Sequence, residues 1–145
     1  MTDEIDQLLI AALMKDSRLS LKALAQASGL SAPSVAERLR KLEERQVITG
    51  YTVNVDPRAF GYQLQAIVRV RPLPGRLQEV ERQIMAIPEF TECDKVTGED
   101  CFYARMCVRS MEQLDELLDH LNGFAETNTA IVKKTPVKRR LPPMA

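Results

Sequence analysis

Apolar residues recur every three or four positions at the front of the chain: Ile5, Leu8, Leu9, Ala12 and Leu13. That spacing predicts a helix with one buried stripe over residues 3–15. Thr2 or Asp3 can cap it, and acids in the first turn meet the positive end of the helix dipole. Such a stripe needs a partner. Leu21, Leu24 and Ala25, then Val35, Leu39 and Leu42, predict two further short helices that supply one. They meet at Ser28-Gly29-Leu30-Ser31, where Gly29 can turn the chain with φ > 0. Ser31 caps the next helix, and Pro33 is tolerated in its first turn. Leu9, Leu13, Leu24, Val35, Leu39 and Leu42 make the expected core. The second and third helices form a helix-turn-helix, the motif that lays its second helix in the DNA major groove. An ordinary helical hairpin inside another domain is the competing reading.

After Ile48 the period changes. Thr49 to Val55 alternates and ends in Asp56-Pro57, so it reads as a short strand or an extended linker, with the boundary between Asp56 and Tyr62. Beyond it the two periods interchange. Leu64 to Arg71 alternates as a strand, and Leu77, Val80, Ile84 and Ile87 fall at helical spacing before Pro88. Thr91–Val96 is a strand, Thr97-Gly98-Glu99-Asp100 a turn and Phe102–Val108 a strand. Met111, Leu114, Leu118 and Leu121 mark a helix, and Thr127–Lys134 is the last strand. The order β-α-β-β-α-β is the ferredoxin-like arrangement. Both helices cover one face of that sheet. The other carries Ile67, Arg69, Arg71, Tyr103, Arg105 and Cys107, a mixed face suited to a second copy. A twofold dimer also gives a helix-turn-helix its partner for two half-sites.

The reading is therefore an α+β chain. A three-helix winged helix-turn-helix module occupies residues 1–50 and an extended linker residues 51–62. A ferredoxin-like βαββαβ domain suited to oligomerisation occupies residues 63–136, and a basic tail residues 137–145.

Composition adds limits. The 145 residues carry a formal net charge of zero, so no broad basic footprint marks a nucleic-acid binder and the local charge of the reading helix decides. A neutral protomer implies modest affinity per subunit and a gain from several acting together. Cys93, Cys101 and Cys107 are odd in number and form no CxxC pair, which fits small buried thiols in a reducing cytosol. The one histidine, His120, lies far from them in sequence and on the polar side of its helix, so no metal site is expected. No membrane-spanning run or apolar N-terminal signal is present, and the expected location is cytoplasmic.

The exposed positions of the second motif helix are the candidate DNA contacts: Ser31, Ala32, Ser34, Glu37, Arg38 and Lys41. Arg38 leads, because a guanidinium pairs bidentately with guanine or with phosphate; otherwise it is a solvated arginine paired to Glu37 or Glu43. Arg40, Lys41 and Arg45 serve equally as surface ion-pair partners. Ser20 caps its own helix, and that helix N-terminus can also meet a phosphate. The run Lys133 to Arg140 is basic and free of acids, either a solvated terminus or an extra phosphate contact.

A helix-turn-helix, a linker with Asp56-Pro57 and Gly61-Tyr62, and then βαββαβ together resemble the Lrp/AsnC family, the feast/famine transcription regulators. Further marks fall in order: Ile5-Asp6 with Leu9, Leu30 to Val35 with Glu37-Arg38-Leu39, Val47 to Thr52, Val96-Thr97-Gly98, and Thr127 to Val132. The resemblance implies a homodimer that assembles further, often to octamers, with double-stranded DNA as partner. It implies no cofactor but an amino-acid effector at a cleft bordered by Thr97, Gly98, Glu99, Asp100, Cys101, Thr127 and Thr129. Where the family commonly has an aspartate this chain has Cys101. A neutral thiol holds an ammonium less well than a carboxylate does, leaving Glu99 or Asp100 as the substitute.

Two other functions compete. An enzyme on a ferredoxin-like sheet finds no nucleophile–base pair, metal cluster or phosphate-cradling glycine loop to support it. An architectural DNA organiser without an effector differs in one observation: no amino acid would raise its melting temperature.

Overall fold

The computed structural model describes residues 2–144. The chain divides into two compact units. One is helical, runs to Asn54 and takes in the chain from Arg140 onward; the other spans Val55–Arg139.

The helical unit contains α1 (Glu4–Lys15), α2 (Leu21–Ser28) and α3 (Ala32–Glu44). Asp3, Ser20 and Ser31 cap them, each accepting a hydrogen bond from the backbone N–H three residues on. Each cap satisfies a donor that the first helical turn leaves without a partner. Gly29 ends α2 in the left-handed conformation at φ 74°, which an L side chain adopts only with strain. Leu9, Leu24 and Val35 are fully buried, with Ile5, Leu13, Ala25, Leu30 and Leu39 packed around them. Three short helices share one core because none buries its stripe alone.

The segment from Thr49 to Val55 joins no ladder and forms no strand. The helices therefore carry no β-wing among the described residues, and the wing expected of the module is absent. Alternation predicts an extended backbone; it cannot supply the neighbouring strand that a ladder requires. Tyr51 ties this segment to α3, its hydroxyl donating to Glu43 at 2.9 Å.

The second unit opens with a 3-10 turn, η1 (Pro57–Phe60), capped by Asp56. It continues as β1 (Leu64–Pro72), α4 (Leu77–Ala86), β2 (Phe90–Lys95), β3 (Phe102–Val108), α5 (Met111–Asp119) and β4 (Ala125–Ile131). The sheet is antiparallel in the order β2-β3-β1-β4. The last strand starts two residues earlier than the alternation suggested and stops at Ile131. Ala66, Val68, Val70, Phe102, Met106 and Val108 point to one face and pack against Val80, Ile84, Leu114 and Leu121 of the helical layer. Arg109 locks the entry turn: its guanidinium donates to the Phe60 carbonyl at 2.7 Å and lies 4.4 Å from the centre of the Tyr62 ring.

The cysteines depart from the expectation of buried thiols. Cys107 is buried, Cys101 half-buried and Cys93 exposed. Cys93 lies on β2, an edge strand, so no further strand covers it.

Candidate nucleic-acid interface

Helix α3 buries Val35 and Leu42 and leaves Ser31, Ser34, Glu37, Arg40 and Lys41 in solvent, with Ser20 exposed at the start of α2. The hydroxyls are partly engaged. Ser20 Oγ accepts from the Ala23 N–H at 3.0 Å, and Ser31 Oγ accepts from the Ser34 N–H at 3.3 Å and donates to Ser34 Oγ at 3.0 Å.

The charges on α3 are mutually occupied. Arg40 grips Glu37 with two nitrogens, at 2.6 and 2.9 Å, and also pairs with Glu44 one turn on. Lys41 Nζ stands 3.9 Å from the same Glu37 carboxylate. The Arg40 bond holds the Glu37 carboxyl below its ordinary range and raises the Arg40 guanidinium above its own.

Arg38 faces another way. It turns toward α1 and donates from Nη1 to Asp3 at 2.7 Å and to Asp6 at 3.1 Å. Neither Glu37 nor Glu43, its partners in the solvated reading, takes this bond. The Asp3 carboxyl is held low by the Arg38 bond first and by the Asp6 backbone N–H second. Asp6 is 7% exposed, a charged group at the margin of an apolar core. Asp3, Asp6 and Arg38 line a depression of about 610 Å³ with Pro33, Ser34, Glu37 and Lys41. Asp3 and Asp6 are not among the site residues that the sequence suggests. Asp6 does leave a signal there, an acid three residues before Leu9 on the apolar stripe of α1.

In the sheet unit the effector candidates separate. The turn after β2 folds back so that Glu99 lies 3.4 Å from Arg71 and Asp100 lies 3.9 Å from Arg69, on the face away from the helices. The Cys101 thiol donates to the Gly98 carbonyl at 3.5 Å. Thr127 and Thr129 sit opposite Val70 and Val68 in the ladder, which puts them on the helix-covered face. A depression of about 430 Å³ nearby is lined by Arg71, Pro72, Leu73, Pro74, Glu99 and Glu126. Glu99 belongs to the expected set, and Thr97, Gly98, Asp100, Cys101, Thr127 and Thr129 lie outside this lining. Arg71 and Glu126 were missed as lining, because their adjacency depends on the β1–β4 register. Among the described residues no cluster of histidine, cysteine or carboxylate could hold a metal ion, and no helix is long and apolar enough to cross a membrane.

The capped α2–α3 pair and the antiparallel βαββαβ sheet each match a known domain of DNA-binding regulators. The AsnC-type helix-turn-helix domain matches residues 3–43, and the Lrp/AsnC ligand binding domain matches residues 65–142. The HTH-type transcriptional regulator FL11 of Pyrococcus horikoshii is 33% identical over 136 residues, covering 92% of this chain and 90% of its own. LrpA of Mycobacterium tuberculosis is 34% identical over 128 residues, covering 88% and 85%. Among solved structures, LrpC of B. subtilis superposes with a TM-score of 0.89 at 29% identity, over 96% of this chain and 99% of its own. The feast or famine regulatory protein of M. tuberculosis, complexed with L-methionine, gives 0.87 at 32% identity over 97% of each. The chain belongs to the Lrp/AsnC family of DNA-binding transcriptional regulators. Its relatives' roles in transcription set aside the enzyme reading.

Proposed function

We propose that this regulator reads duplex DNA through the exposed edge of α3, as a homodimer or a larger assembly, and that an amino acid tunes it. The observation that carries the reading is the capped α2–α3 pair, with Ser34, Glu37, Arg40 and Lys41 in solvent along one helix. Ser20 and Ser31 stand at helix N-termini, where backbone N–H groups attract phosphate. Arg40 and Lys41 reach phosphates or base edges only by exchanging Glu37 for them.

The face bearing Ile67, Arg69, Tyr103 and Arg105 is left by α4 and α5, and a second copy is the occupant that suits its mixture of apolar and cationic groups. The effector reading draws on the relative that binds L-methionine. The depression at Arg71 offers both charges of an amino acid a partner: a guanidinium for the carboxylate, and Glu99 and Glu126 for the ammonium. Leu73 and the flanking prolines give an aliphatic side chain its surface. Cys101 contributes no charge, which keeps the effector-free architectural protein as the second reading.

A thermal-shift screen of the twenty amino acids separates the two. A ligand that binds the native state raises the melting temperature by mass action, and a flat screen overturns the effector reading. Gel shifts with the chain's own upstream DNA test the interface. Lys41→Ala should bind more weakly, and equal binding would remove Lys41 from it.

A further inference from the structure

The proposed function leaves one charged feature unused. Residues 133–140 read Lys-Lys-Thr-Pro-Val-Lys-Arg-Arg, five cations without an acid. All five are exposed, on a segment that follows β4 without helix or strand. None joins an ion pair among the described residues. Lys138 is felt only at a distance, by the Asp56 carboxyl. Pro136, Pro142 and Pro143 keep this stretch out of a helix, and the chain bends at Pro136, Val137 and Arg139 with the cations in solvent.

The reading helix has little charge to spare. Arg38 is held by Asp3 and Asp6, Arg40 by Glu37 and Glu44, and Lys41 stands beside Glu37. Residues 1–50 hold seven acids and seven bases, so the three helices offer phosphates no net positive charge. Binding to duplex DNA draws much of its free energy from cations that displace condensed counterions. A family member with a neutral reading module must find those cations elsewhere, and Arg140 already belongs to the helical unit.

We infer that the basic run, chiefly Lys138, Arg139 and Arg140, supplies the sequence-independent grip on duplex phosphates, while α3 supplies selection. This rests on the DNA-binding reading above. The grip is electrostatic and holds any sequence alike, so it must appear in the salt dependence of binding rather than in operator preference.

The test compares the full chain with a Lys138→Gln, Arg139→Gln, Arg140→Gln variant on a random duplex and on the upstream DNA, between about 50 and 200 mM salt. Expected is a plot of log affinity against log salt that is shallower by about 0.9 for each phosphate no longer neutralised, up to about 2.7 for each protomer bound. Both duplexes should weaken by the same factor, and Lys138→Arg should keep the wild-type slope. An unchanged slope in the triple variant, with the wild type still binding, overturns the inference alone. So does a fall in assembly mass by light scattering without DNA. That result would put the run against another copy, where Glu112, Asp115, Glu116 and Asp119 form an exposed acidic stripe on α5. A wild type that binds neither duplex overturns the DNA-binding reading and this inference with it.

Discussion

Arg38 and Asp6 join α3 to the first helix: the guanidinium donates at 3.1 Å to the carboxylate of a residue that is 7% exposed. An arginine of α3 that looks outward in the sequence is thus spent inward, tying α3 to α1.

Asp6→Ala should destabilise the helical unit, because it removes one of the two carboxylates that hold Arg38, across a part-buried hydrogen bond. Chemical denaturation followed by circular dichroism measures it. A double-mutant cycle with Arg38→Ala should give a coupling well outside zero, and strict additivity would show that the pair does not act together.

The Asp3 carboxyl, lowered chiefly by its bond from Arg38, sets a pH dependence. A carboxyl depressed in the folded state stabilises fully above its unfolded value of about 3.9, and this is lost as pH falls through the folded value. Stability of the helical unit should therefore fall below about pH 4 and less steeply in Asp3→Asn, which keeps a capping side chain. Melting curves at stepped pH report the difference, and identical slopes for the two proteins would refute it.

Glu37 pairs with Arg40 and stands beside Lys41, so Glu37→Gln should release Lys41 toward phosphate and leave Arg40 with Glu44 alone. Affinity for random duplex should rise severalfold and its salt dependence should steepen by about 1–2. Fluorescence anisotropy titrations decide it. An affinity that falls instead would mean that the Glu37 carboxylate itself takes part in binding.

Gly29 and Gly61 both have positive φ, 74° and 88°, but their surroundings differ. An added Cβ at Gly29 meets open space, so Gly29→Ala should cost about 1–2 kcal/mol of backbone strain. At Gly61 the same Cβ runs into the Arg109 guanidinium, so Gly61→Ala should cost more and loosen the Arg109 bond to Phe60. Comparing the melting temperatures of the two variants checks the order.

The sequence by itself determined the elements. Helical and alternating periods, the serine caps of α2 and α3 and the glycine after α2 are local features, carried by near neighbours in the chain. The α-α-α and β-α-β-β-α-β orders, and the family that they resemble, were legible for that reason. Tertiary structure decided which charges meet. Asp3 and Asp6 are 35 and 32 residues from Arg38, and only the packing of α1 on α3 brings them together. Likewise Glu126 lies beside Arg71 because two strands pair in one register. Of the two readings left open after Ile48, strand or linker, the strand did not form, because a ladder needs a partner that no period within one segment can name. Long-range electrostatics and strand pairing are properties of the fold, and an arginine in a sequence does not say which carboxylate will hold it.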